Sequence, residues 1–400
     1  MKKLTALVLA LCMALGLAAC GGSKDTGSAA GSTAAASGDT VKIGVFEPQS
    51  GDNGAGGKQE ILGVQYANSV APTVEIGGKT YNVKLEIVDN ESSNDKAVSA
   101  ASQLVSKGVS MVLGSYGSGV SIAASDTFKN AGIPAMGITC TNPAVTAGNT
   151  HYFRACFIDS FQGPVLANYA YDNLKVKKAY CLSKLGDDYS GGLVSYFTKQ
   201  FEKKGGQVVK AEFPEGNSDF TSYIANAKKE GCGVFYAPIS IEAAQLVINQ
   251  AASQGLGMPL LAGDTWDSNV ILEAAKGTDV EIDVTTFYAD GTNKDFEQKI
   301  KDWINGDSTN LKNNGGNDTL SAVTVMGYDA YMVALEALKA AGSTDPAAVM
   351  KALPTVSYDG ITGTISFDET GDAKVKTAYV KSVDNETGTW VGGGSVTMDE

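Results

Sequence analysis

Two stretches of small and hydroxyl-bearing residues hold the chain's most useful chemistry. They are Gly114-Ser115-Tyr116-Gly117-Ser118-Gly119 and Ile138-Thr139-Cys140-Thr141-Asn142-Pro143. Each follows a short apolar run, and a helical pattern begins at Val120. Small residues let a ligand approach the backbone closely. A helix N-terminus presents free N–H groups and a positive dipole end, so it favours a carboxylate. Ser118 adds a hydroxyl at that helix start, and Thr141 adds another on the second stretch. A Ser/Gly turn that only caps its helix reads the same way, so spacing alone leaves ligand binding and capping both open.

Catalysis is poorly provided for. The 400 residues contain one histidine, His151, at an apparent strand start, where it reads as structural. That argues against a Ser-His-Asp triad and against His-based metal sites. No Gly-x-Ser-x-Gly elbow, Walker loop or dinucleotide fingerprint occurs. Cys140, Cys156, Cys181 and Cys232 are widely spaced without a Cys-x-x-Cys, which suits buried small side chains better than zinc or a disulfide framework. The formal net charge of −13 argues against nucleic acid, whose phosphates need clustered Lys and Arg. The expectation is a protein that is not an enzyme and uses no cofactor or metal.

The N-terminus carries a different signal. Met1-Lys2-Lys3 precedes an apolar run ending in Leu17-Ala18-Ala19-Cys20. A basic start, a short apolar centre and a small-residue cleavage site make a secretory signal. A cysteine at the cleavage point resembles the bacterial lipoprotein signal, in which the thiol is lipidated and becomes the first mature residue. Gly21 to Thr40 is almost wholly Gly, Ser, Ala and Thr. Such a segment cannot bury enough apolar surface to offset its ordering entropy, so it reads as a flexible tether. The expected organisation is a signal over 1–19, lipidated Cys20 with its tether over 20–40, and a body held outside the cell membrane.

About 360 residues then remain, more than one core usually supports. Strand and helix patterns alternate. Strands are expected at 41–46, 81–89, 110–114 and 133–137, with helices at 58–69, 95–106 and 120–130 between them. The rhythm restarts with helices at 161–174, 189–204, 219–229 (capped by Ser218) and 241–254, and strands at 178–183, 207–213, 232–237 and 259–262. Helices at 294–304, 320–341 and 346–353 and strands at 363–367 and 375–383 close the chain. This is the βαβα rhythm of parallel sheets covered on both faces. The fold class is α/β: two doubly wound parallel-sheet lobes, 41–157 plus 288–363 and 158–287 plus 364–400, joined by three crossings. Open parallel sheets bind ligands beyond the carboxyl ends of their strands, where both small-residue stretches fall.

Several ordered motifs carry a family resemblance. They are Val45-Phe46-Glu47-Pro48-Gln49-Ser50-Gly51, Gly63-Val64-Gln65-Tyr66-Ala67, the Gly114–Gly119 stretch running on to Ala124-Ser125, and Thr141-Asn142-Pro143. Tyr152-Phe153-Arg154, Ser160-Phe161-Gln162-Gly163, Asp188-Tyr189-Ser190-Gly191-Gly192 and Asp219-Phe220-Thr221-Ser222 extend it. From Val41 to Val383 the chain resembles bacterial branched-chain amino acid binding proteins, which have a type I periplasmic-binding-protein fold. The resemblance implies that Ser118 and Thr141 hold a ligand α-carboxylate and that Thr139 offers its backbone carbonyl to the ammonium. Tyr189 would cover the ligand from the second lobe. The family usually places an acid after the strand at 259–262; Asp264 is the first choice here and Asp267 the second. A desolvated ammonium needs such a partner. The chain departs from the family in its glycine loop, Gly54-Ala55-Gly56-Gly57, and at Pro238-Ile239-Ser240, where pocket aromatics are usual. Tyr116 and Trp266 are the expected compensating walls.

The implied activity is capture of a small neutral, aliphatic or branched-chain amino acid and its delivery to the permease of an ABC importer. The implied state is a monomer on a lipid anchor. Two alternatives share the fold: an extracytoplasmic ligand sensor, and a transporter binding protein for an amide or an aromatic carboxylate.

Overall fold

A computed structural model describes residues 39–375 and 377–397. The signal over 1–19, Cys20 and nearly all of the tether lie outside the described residues.

The first lobe opens with β1 (Thr40–Glu47), α1 (Gly54–Val70), β2 (Thr73–Ile76), β3 (Lys79–Asp89), α2 (Asn94–Lys107), β4 (Met111–Gly114), α3 (Ser118–Ala131), β5 (Ala135–Gly137) and β6 (Tyr152–Arg154). Its strands lie in the order β2-β3-β1-β4-β5-β6, with only β2 antiparallel to its neighbour. β1 is central, and Ile43 to Glu47 are buried on both faces of the sheet. That is why its apolar run is nearly continuous instead of alternating.

The chain then crosses to α4 (Asp159–Asn168), β7 (Lys178–Lys184), α5 (Asp188–Lys203), β8 (Gln207–Phe213), α6 (Thr221–Lys229), β9 (Val234–Tyr236), α7 (Ile241–Gln254), β10 (Leu260–Ala262), α8 (Asn269–Ala275) and β11 (Ile282–Thr286). It returns to the first lobe for α9 (Lys294–Asn305), α10 (Ser308–Asn313), α11 (Ala322–Ala341), α12 (Pro346–Ala352) and the hairpin β12 (Ser357–Gly360) and β13 (Gly363–Ser366). Finally β14 (Thr377–Asp384) and β15 (Thr389–Thr397) add antiparallel strands to the second sheet, whose order is β15-β14-β11-β10-β9-β7-β8.

α11 seats the returning segment against α1. The contact needs two glycines: a Cβ on Gly63 would meet the Thr324 carbonyl oxygen at 1.9 Å, and one on Gly327 would meet that of Glu60 at 2.3 Å. The helices therefore touch backbone to backbone, which fixes the register of α1 and of Glu60 on it.

Several expectations need correction. Gly54–Gly57 is the first turn of α1, not a loop, because the segment is packed in place: a Cβ on Gly57 would lie 2.1 Å from the Pro48 carbonyl oxygen. Ser218 does not cap α6; the helix starts at Thr221, whose N–H donates to Asp219 Oδ1 at 2.9 Å. Within the third crossing, expected over 362–371, Ile365 and Phe367 pack in the first-lobe core. Helices α8 and α10 and strands β2, β11, β12 and β15 were not foreseen. Cys140, Cys156, Cys181 and Cys232 are free and buried, as small core residues.

Candidate ligand-binding cleft

The carboxyl ends of both sheets face a common cleft. Pro48, Asn53, Tyr116 and Ser118 line it from the first lobe, and Lys184, Tyr189, Ser240 and Thr265 from the second. The two sides already touch: the Tyr116 hydroxyl donates to the Thr265 carbonyl at 3.3 Å.

Ser118 opens α3, and its Oγ accepts from the Asn142 N–H at 3.2 Å. That bond ties the two small-residue stretches together. Thr139 and Thr141 follow β5 and are buried. The fully buried Thr141 hydroxyl has no partner but the adjacent Asp159 carboxyl, whose ionised form it favours.

Across the cleft, Asp264 begins a short 3-10 turn after β10. Its Oδ1 accepts from Gln162 Nε2 at 2.8 Å and from the Tyr189 hydroxyl at 3.0 Å, and its own N–H donates to Gln162 Oε1 at 2.9 Å. Gln162 is held in turn by Thr285, whose hydroxyl donates to Oε1 at 2.6 Å. Asp264 is thus aimed by neutral donors with no cation beside it. Burial pushes its pKa up to about 7, against the pull of Gln162 and Tyr189.

Asp267, three residues on, has a different environment. Its Oδ2 takes a buried ion pair from Lys381 Nζ at 3.1 Å and a hydrogen bond from the Thr286 hydroxyl. It is committed to the base of the second lobe by this pair, whereas Asp264 is bonded to Tyr189 of the cleft wall. Trp266 also needs correction as a wall: it is fully buried in the second-lobe core, with its indole N–H donating to the Ile239 carbonyl at 3.1 Å. Neither acid caps α8, which Ser268 caps through Val270 N–H. Tyr116 does line the cleft. Its ring occupies the space over Gly56, where a Cβ would come within 2.5 Å of it. The missing side chain at Gly56 makes room for the aromatic of the neighbouring loop.

Two acids escaped the sequence reading. Glu47 ends β1 and Glu60 sits one turn into α1, and both are fully buried. Glu47 Oε2 accepts from the Tyr116 N–H at 2.6 Å, and Glu60 Oε1 accepts from the Thr139 hydroxyl. The two carboxyls lie close enough to perturb one another. Two buried carboxyls in contact without a cation cannot both ionise. Burial and this proximity raise Glu47 well above the usual range, and burial carries Glu60 to about 8. Asp159, at the start of α4, is pushed by burial to about 8. Lys184 was also missed. The carboxyl end of β7 brings it to the cleft.

A family model described as periplasmic binding protein matches residues 40–389. The Leu/Ile/Val-binding protein homolog 1 of Brucella suis is 31% identical over 340 residues, covering 84% of this chain and 88% of that one. The crystal structure of a leucine binding protein from Thermotoga maritima superposes with a TM-score of 0.78 at 30% identity, covering 90% of this chain and 99% of that one. A branched-chain amino acid transporter substrate binding protein from Streptococcus pneumoniae, solved with isoleucine, gives 0.78 at 25% identity, covering 90% and 100%. A benzoate-bound solute binding protein of an ABC transporter from R. palustris shares the fold alone, at 20% identity, a TM-score of 0.75 and coverage of 90% and 98%. The chain belongs to the periplasmic binding protein family, and its two lobes have the type I arrangement of these structures.

Proposed function

We propose that this protein captures a zwitterionic α-amino acid with a small uncharged side chain and hands it to the permease of an ABC importer. The observation that carries the reading is the polarity of the cleft. Ser118 at the N-terminus of α3 suits a carboxylate, and Asp264 on the opposite lobe suits an ammonium. Thr141, whose buried hydroxyl has only the Asp159 carboxyl beside it, joins Ser118, and the Thr139 carbonyl joins Asp264. Tyr189 orients Asp264 through its hydroxyl and covers the ligand from the second lobe. Tyr116 gives the aromatic wall. Asp267 serves the second lobe's structure. The relatives that bind leucine and isoleucine support the amino-acid class.

Calorimetric titration against a panel of amino acids tests the reading. A neutral aliphatic member should bind with one-to-one stoichiometry. Binding of benzoate or an amide, with no amino acid bound, would refute it and favour the alternative solute class.

We further propose that Cys20 is lipidated and anchors the protein at the outer face of the cell membrane. Among the described residues no helix is long and apolar enough to cross a membrane. The Cys20→Ala protein should therefore appear in the soluble fraction. Retention on membranes after a high-salt wash would refute the anchor.

A further inference from the structure

The segment just ahead of α1 reaches across the cleft and completes a helix of the other lobe. Asn53 Oδ1 accepts from the N–H of Ile241, the first residue of α7, at 3.2 Å. The adjacent Asp52 carbonyl accepts from the Glu242 N–H at 3.2 Å. These are two of the four N–H groups that a helix start leaves without internal partners. The helix's own N-cap residue, Ser240, makes no side-chain capping bond. The capping role that Ser, Thr, Asp or Asn normally fills within one element is filled here from the opposite lobe.

The same segment makes an ion pair. Asp52 Oδ2 lies 2.9 Å from Nζ of Lys184, at the end of β7. Lys184 is also held by Glu215 of its own lobe at 2.6 Å, so its ammonium is positioned for Asp52. On the other flank of the cleft, Asn142 Nδ2 donates to the carbonyl of Asp188, the first residue of α5, at 2.7 Å. The two N–H groups at the start of α7 would face water once the lobes part.

We propose that Asp52 and Asn53 form a latch that caps α7 across the cleft and pairs with Lys184, so that the closed form is substantially populated before any ligand arrives. The latch does not depend on which ligand is bound. Losing a cap and a partly exposed ion pair together should shift the closed-to-open ratio about tenfold. Because the ion pair is screened by salt, part of the shift should also appear in the unmodified protein at high ionic strength. Ligand affinity follows the population of the competent form, so a weakened latch raises the apparent Kd by the same factor once the open form dominates.

The test is small-angle scattering of the full chain, freed of co-purified solute by unfolding and refolding, at low and high salt. The unmodified protein should be more compact than the Asp52→Ala/Asn53→Ala variant at low salt, and should expand at high salt. Asn53→Ser retains a capping oxygen and should recover much of the compaction; Lys184→Met should remove the salt dependence while keeping the cap. The latch is refuted if the refolded unmodified protein is as expanded as the double variant. It is refuted equally if Lys184→Met, folded by circular dichroism, keeps the full salt dependence of the unmodified protein.

Discussion

Replacing Asp264 by alanine should weaken amino-acid binding by about 2–5 kcal/mol, some thirtyfold to several thousandfold, because it leaves the ligand's ammonium buried without a counter-charge. The ammonium would lose the counter-charge assigned to it on the second lobe. Gln162 and Tyr189, which now donate to Asp264 Oδ1, would be left pointing at a cavity. Both remaining groups are neutral, so neither compensates the charge. Asp267→Asn offers the contrast. Asp267 pairs with buried Lys381, so its loss should lower thermal stability far more than it changes the binding of a ligand across the cleft. Calorimetry on both variants, with melting temperatures measured alongside, separates the two roles. Equal loss of affinity in the two would remove Asp264 from the place assigned to it.

The ligand-free protein should lose stability as pH rises from about 5 to about 8.5, while its affinity for an amino acid rises over the lower part of that range. Burial lifts Glu60 to about 8 and Asp264 to about 7, from unfolded values near 4. A carboxyl with a raised folded-state pKa holds its proton more tightly when folded. Its contribution is fully present below the unfolded value and is lost as pH climbs through the folded one. Each such group changes stability by about 1.4 kcal/mol per pH unit between those limits, so the pair contributes on the order of several kcal/mol. Binding runs the other way. The ammonium pairs with ionised Asp264, so below about pH 7 a proton must leave, and affinity falls as pH falls. Scanning calorimetry at a series of pH values checks the first trend, and Glu60→Gln should flatten it. A melting temperature that rises steadily over the same range would contradict it.

Much of this arrangement was legible in local patterns. The period-two and period-3.6 spacings report burial of one face, which is why the βαβα rhythm and the start of α3 near Ser118 could be read directly. The missed strands had weaker signals. β11 reads Ile-Asp-Val-Thr-Thr, polar in composition yet fully paired within the second sheet. β15 carries three consecutive glycines and is held through its pairing with β14.

Residue order alone set which chemistry was on hand: hydroxyls and small residues at a helix start, acids after one strand, and a single histidine. Tertiary structure decided which of these groups meet. Asp264 and Asp267 are three residues apart on one short turn, and no local pattern separates them. Lys381, far along the chain on β14, claims Asp267, and Asp264 instead bonds to Tyr189 of the cleft wall. Glu60 reads as an ordinary solvated helix charge until the close packing of α1 on α11 and the Thr139 loop removes its water. Lys184 reaches the cleft because β7 ends beside the segment ahead of α1, which belongs to the other lobe. In each case the deciding partner is remote in sequence, and burial and charge pairing depend on distance through space.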